Sequence, residues 1–231
     1  NASASVLLPG MRDRLRLSFD FSELNSFPGA EPDEREDNPQ LTLRRLGRII
    51  DVDVGVRVKT SPTAFLRLNY THGWETGPLS WRFLQRGFYD TGEGFGTLSS
   101  LAQHAWVGRH WMAGHSTSFR WSESTEGVEW RDAISIGRIF DLIEEDRRGN
   151  FIGHRDISRG VGMRYEIQGH HDGSGQIDTH KLSFLYRQPL FRREFLFLEI
   201  TPQVEWASER DWDPVYSFRV GLDFLFWSDR I

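Results

Sequence analysis

Apolar residues recur at every second position along most of this chain, in runs longer than ordinary strands. Near the start, Leu15, Leu17, Phe19 and Phe21 alternate with Arg16, Ser18 and Asp20. Ile50, Val52, Val54, Val56 and Val58 alternate with Asp51, Asp53, Gly55 and Arg57, and Leu66, Leu68 and Tyr70 with Arg67 and Asn69. The last third is cleaner. Val161, Met163, Tyr165 and Ile167 oppose Arg164 and Glu166; Leu182, Phe184 and Tyr186 oppose Lys181 and Ser183. Leu196, Leu198, Ile200, Pro202, Val204 and Trp206 oppose Glu199, Thr201 and Glu205. Tyr216, Phe218, Val220, Leu222, Phe224 and Phe226 oppose Ser217, Arg219, Gly221 and Asp223. Successive side chains of a strand point to opposite faces, so this period predicts strands with two different environments.

Residues 79–92, 97–108, 111–123 and 127–139 read as further strands, their alternation interrupted by small residues and histidines. Turn-forming runs separate the strands: Ser61-Pro62-Thr63, Thr76-Gly77-Pro78, Gly92-Glu93-Gly94, Thr125-Glu126-Gly127 and Asp172-Gly173-Ser174-Gly175. Two connections are longer: the acidic stretch Pro28 to Pro39, and the charged stretch Asp141 to Asn150, which has room for a helical turn. No internal repeat or low-complexity tract divides the chain. About eleven strands joined by short hairpins predict one all-β antiparallel meander, a single domain over 1–231.

Composition removes several classes of function. With Cys 0 there is no disulfide scaffold, thiolate metal site or cysteine nucleophile. A net charge of -5 argues against a nucleic-acid partner, which calls for a basic surface. No segment approaches the roughly 20 apolar residues of a spanning helix. The mean hydropathy of -0.50 reads as water-soluble, but a spanning barrel alternates lipid-facing and interior residues and keeps a low mean. Asn1 to Ser5 shows no basic and apolar leader pattern, as expected equally of a chain whose leader was removed.

Periodicity alone does not say which face is inside. Run length favours the membrane: 196–206 and 215–227 match the roughly 9–11 residues of a tilted spanning strand and exceed the soluble mode of about 5–6. Aromatic placement agrees. Trp74, Trp81, Trp111, Trp121, Trp206, Trp212 and Trp227 fall near expected strand ends, with Tyr70 and Tyr216 close by, where amphipathic rings would sit at headgroup level.

The C-terminal run Arg219-Val220-Gly221-Leu222-Asp223-Phe224-Leu225-Phe226 has the order polar, x, Gly, x, x, aromatic, x, aromatic. In this it resembles bacterial outer-membrane β-barrel proteins, whose last strand carries such an assembly signal at the positions of Arg219, Gly221, Phe224 and Phe226. The tail Trp227 to Ile231 departs from the pattern, in which the aromatic often ends the chain. The resemblance implies insertion into the bacterial outer membrane, with outer-membrane lipid and the barrel-assembly machinery as partners. The expected fold is therefore a closed, antiparallel, up-and-down transmembrane β-barrel. Lipid leaves no free edge unpaired and single-chain barrels usually have even strand numbers, so about twelve strands are expected, within 10–14. The strand not legible belongs near 39–46 or within 79–123.

In that orientation the interior is lined by Arg16, Asp20, Asp51, Asp53, Arg57, Arg67, Arg82, Arg86, Arg120, Arg131, Arg164, Glu166, Lys181, Glu199, Glu205, Arg219 and Asp223. A barrel of this size has little room beyond its side chains. Two outcomes follow: a narrow passive channel for small hydrophilic solutes, or a charge-paired interior that plugs a structural or docking barrel, meeting an envelope complex through its loops.

Catalytic signals are sparse. His115 and Ser116 are the candidates for a lipid-modifying hydrolase, since outer-membrane lipases use His and Ser on barrel walls; strand geometry, however, sends these two to opposite faces and leaves Thr117 beside His115, with no matched carboxylate evident. His170-His171-Asp172 with Asp178 and His180, and the Glu31–Asp37 stretch, are weak metal candidates without regular ligand spacing, so neither metal nor cofactor is expected. A soluble lipocalin-like binding barrel is the alternative outside the membrane, though such barrels use about eight strands.

Overall fold

The structure, a computed structural model, describes residues 3–7, 15–20, 40–45, 50–57, 63–125, 127–142, 157–173, 175–190 and 196–224. Thirteen strands follow in order: β1 (Ser3–Leu7), β2 (Leu15–Asp20), β3 (Gln40–Arg45), β4 (Ile50–Arg57), β5 (Thr63–Thr76), β6 (Leu79–Asp90), β7 (Gly94–Val107), β8 (Trp111–Ser122), β9 (Val128–Leu142), β10 (Ile157–His171), β11 (Gly175–Pro189), β12 (Leu196–Ala207) and β13 (Pro214–Phe224). A 3-10 turn, Ser208–Arg210, precedes β13. Each strand pairs only with its neighbours in sequence, antiparallel, in one sheet ordered β1 to β13. The all-β meander read from alternation is the observed topology.

Two expectations need correction. The sheet is not closed: among the described residues no ladder joins β1 to β13. Among the described residues the strands number thirteen, within the expected 10–14 but one more than the twelve favoured. Of the two strands absent from the sequence reading, β3 lies at 40–45, inside the stretch where a hidden strand was expected. The other, β1, has the sequence SASVL, too short and too rich in small residues to show a period. An odd meander makes its first and last strands parallel, so β13 cannot close on β1 by the antiparallel ladder used elsewhere. The loops 28–39 and 143–150 lie outside the described residues, as do the Glu31–Asp37 candidate, Trp227 and Phe226. Nor are the side chains of Arg16, Asp20, Arg57, Asp223 and Phe224 among those described.

Burial runs opposite to that of a water-soluble sheet. On β5, Phe65, Arg67 and Asn69 are buried, while Leu66 (49%) and Leu68 (53%) between them are exposed. On β4, Asp53 has no exposure, whereas Val54 and Val56 are open. On β10, Arg164 and Glu166 are buried and Val161 and Met163 exposed. On β11 the buried residues are Ser183, Leu185 and Arg187, and the exposed ones Phe184 and Tyr186. Among the described residues there is no second layer, so a single sheet can cover one face only by curving round it. Met112 of β8, Ile139 of β9 and Leu185 of β11 form one buried cluster, with Trp106 of β7 packed against it. That cluster brings β11 against β8 across two intervening strands. The concave face is mixed and polar, and the convex face is apolar.

Candidate functional site

None of the described residues assigned to the interior from sequence is exposed. They form local networks on the buried face. Asn69 Nδ2 donates to Asp53 Oδ2 at 2.9 Å, and Arg86 Nε donates to Asn69 Oδ1 at 2.6 Å, linking β4, β5 and β6. Glu166 is a hub: Arg164 donates through Nε and Nη2 at 3.2 and 3.1 Å, and Gln168 donates at 2.6 Å. Arg131 of β9 adds an ion pair to Glu166 at 3.7 Å. On β11, Arg187 pairs with Glu199 of β12 and lies 4.3 Å over the Phe197 ring. Arg120 pairs with Glu93 and, at 3.5 Å, with Glu129. The arrangement follows from the pleat, since cross-strand neighbours on one face lie within side-chain reach. Arginine suits it because its planar fork serves several acceptors at once.

The opposite, convex face carries the second grouping. Register places Gln103 of β7 opposite His115 of β8, and Thr117 opposite Asp132 of β9. Gln103 Nε2 lies 3.1 Å from His115 Nδ1, and His115 Nε2 lies 2.9 Å from Asp132 Oδ2. A carboxylate only accepts, so the Nε2 proton points at Asp132; this leaves Nδ1 to accept from the Gln103 amide. The histidine and carboxylate side chains retain 36% and 42% of their exposure. Beside them, Gln85 of β6 donates to Thr97 Oγ1 at 2.7 Å and accepts from Ser99 at 2.6 Å. These residues form a polar stripe on a face that is otherwise mainly aliphatic and aromatic.

The structure separates the two sequence candidates. Ser116 is buried at 7% on the concave face, between Ala102 and Ala133, so it does not join His115. The carboxylate that sequence reading did not supply is Asp132. Its signal was present: Asp132 breaks the apolar face Trp130, Ile134, Ile136 of its own strand. Only the register connects it to His115, seventeen positions earlier in the chain.

The histidine-rich hairpin resolves into separate contacts. His170 Nδ1 lies 2.8 Å from the Asp178 carboxylate, while His180 Nδ1 shares a hydrogen bond with the Tyr165 hydroxyl at 2.7 Å and its ring packs against Trp212. Among the described residues no three His, Asp or Glu side chains converge in a metal-binding geometry. At the β5–β6 hairpin, Tyr70, His72, Trp74 and Trp81 stack as an exposed aromatic ladder; the Trp74 and Trp81 rings are 5.9 Å apart and nearly parallel. Trp111 opens β8 and Trp121 nearly ends it, and Trp206 lies one residue from the end of β12. The chain matches no family model, and neither a curated protein nor a solved structure is significantly similar to it.

Proposed function

We propose that this protein is an outer-membrane β-barrel whose interior is filled by paired charges, so that it serves as a structural or docking wall and not as a conduit. The observation that carries the reading is the inverted burial: arginines, aspartates and glutamates share the covered face with some apolar side chains, while a long series of large apolar ones lies on the open face. A chain in water would lose by this arrangement, because apolar area stays hydrated while charges lose solvent. A chain in lipid gains by it. Between the two interior models, the deepest-buried side chains support the filled one. Asp53, Met112 and Arg187 have no exposure at all, whereas the walls of a water-filled path remain wet. A lipocalin-like function is disfavoured because the covered face, though it includes apolar side chains such as Phe88 and Leu185, also buries Asp53, Arg67, Arg164, Glu166 and Arg187, which an apolar ligand would leave without solvent.

Strand parity permits closure without β1. Residues β2 to β13 are twelve strands, and β13 can meet β2 antiparallel once β1 leaves that edge. The β13 side chains Tyr216 (78%) and Phe218 (67%) are the most open large ones on the convex face, as expected of a strand lacking one neighbour. Arg219, Gly221 and the aromatics beyond them present the strand to the assembly machinery, and the loops remain for an envelope partner. The test is threefold. The protein should partition into detergent, migrate faster unheated than boiled, and give no single-channel steps in a planar bilayer. Discrete conductance steps would overturn the filled interior, and an aqueous, heat-indifferent monomer would overturn the barrel.

A further inference from the structure

We propose that Gln103, His115 and Asp132 form a lipid-facing hydrolytic site that cleaves ester-linked acyl chains, with water as the nucleophile. The inference rests on the membrane reading for its substrate class, but its geometry stands on the ladder of β7, β8 and β9. An ionisable pair on a lipid-facing wall is costly and marks function before packing. The interior networks neutralise their charges away from lipid; this pair does not use them. No apolar core depends on it either, since both side chains stay open.

The three groups match the needs of ester hydrolysis. Asp132 accepts the Nε2 proton of His115 at 2.9 Å, which fixes the tautomer and leaves Nδ1 basic. Gln103 Nε2 occupies Nδ1 at 3.1 Å in the resting site. A docking ester offers its carbonyl oxygen to that amide, and the switch uncovers Nδ1 for a water molecule. The water oxygen attacks the carbonyl carbon while its proton passes to Nδ1, and Asp132 balances the imidazolium charge. Negative charge gathers on the former carbonyl oxygen, where the Gln103 N–H donates. As the tetrahedral centre collapses, the bond to the alkoxy oxygen breaks and His115 returns its proton to that oxygen. Ester and water thus give carboxylic acid and alcohol, and the site ends as it began.

Water is assigned as nucleophile because neither ring nitrogen bonds a hydroxyl: Ser116 faces the other way, and Thr117 makes no hydrogen bond to the ring. The substrate class comes from the surroundings. Ile134, directly opposite His115, is 56% exposed, Phe119 is 52% and Ile136 is 42%. These open apolar side chains offer an acyl chain a surface on either side of the polar stripe.

The experiment measures free fatty acid released from vesicles of phosphatidylethanolamine and phosphatidylglycerol carrying the inserted protein, with p-nitrophenyl butyrate as a soluble ester in parallel. Vesicle flotation and heat-modifiable migration report insertion for every variant. Wild type should release fatty acid, and His115→Ala and Asp132→Asn should each lower the rate by about 100-fold or more. Gln103→Ala should lower kcat with KM little changed, and Thr117→Val should stay active. Inserted wild type that releases no acid, or His115→Ala at the wild-type rate, overturns the site. Loss in Thr117→Val equal to that in His115→Ala overturns water as nucleophile. A chain that does not float overturns the barrel; butyrate hydrolysis lost in His115→Ala would then still support the dyad.

Discussion

Replacing Leu68 by arginine puts the orientation of the sheet on an energy scale. Leu68 is 53% exposed on the convex face, between Leu66 and Tyr70 on β5 and opposite Val52 and Gly87 on the neighbouring strands. Along β5 it lies roughly 16 Å from Thr63 and 26 Å from Thr76 at about 3.3 Å per residue. With a tilt near 40°, these become roughly 13 and 20 Å along the membrane normal, well inside an apolar band about 25 Å tall. Arginine at such a depth should destabilise the folded protein by about 2–4 kcal/mol, and arginine at the strand end should cost only about 0–1. In water, an exposed substitution like this one stays within about 0.5 kcal/mol. The assay is urea unfolding in phospholipid vesicles, followed by tryptophan fluorescence, on Leu68→Arg and Thr76→Arg side by side. A large loss at Leu68 with a small one at Thr76 matches lipid contact. Small and equal losses at both positions would refute the orientation, and the proposed function with it.

Three further outcomes are expected. Arg187→Ala removes a fully buried guanidinium from the partly buried Glu199 carboxylate and should cost about 3–5 kcal/mol, while the double change Arg187→Met with Glu199→Leu should recover most of that loss in the same urea titration. Gly169→Ala should cost about 1–3 kcal/mol, because its Cβ would run into the Gln176 carbonyl and stand 2.7 Å from the Trp130 indole; Gly87→Ala, with nothing within 4 Å of its Cβ, is the neutral control. The chain has no native cysteine, so single cysteines at 216, 218 or 220 paired with ones at 15, 17 or 19 should form disulfides if β13 closes on β2. Cross-links from β13 to β1 alone would refute that closure.

The sheet was legible because its signal is local and repeated. Along 196–206 and 216–224 almost every residue reports its face by polarity, Phe197 on the charged face being an exception, and both runs are strands in the structure. Alternation was weakest over 97–123, where β7 and β8 place Ser99, Gln103, His115 and Thr117 on the convex face. The same polar stripe that obscured the period there is the candidate site. β1 escaped because five residues of small side chains carry no period, and parity was lost with it. The dyad was illegible for another reason. His115 and Asp132 meet through the register of β8 on β9, which the Ser122–Val128 turn sets and which no local pattern reveals.

The two faces constrain each other in what the protein can do. On the concave side every carboxylate with described contacts has an arginine or amide partner: Glu166 has Arg164, Arg131 and Gln168, Asp53 has Asn69, and Glu199 has Arg187. Pairing of this kind ties neighbouring strands together, and on the proposed reading it keeps the covered side chains from binding a solute and releasing it. Chemistry is then confined to groups whose polar atoms stay accessible. On the strand walls, the His115–Asp132 pair on the convex face meets that condition. If the interior did conduct, the side chains with no exposure, Arg187 and Asp53 among them, would have to separate from their partners, and each separation would cost several kcal/mol. On the proposed reading, a filled interior and an outward-facing reactive group are one design: the Arg120–Glu129 pair ties β8 to β9 on the covered face, and the register so held sets an imidazole 2.9 Å from a carboxylate on the other.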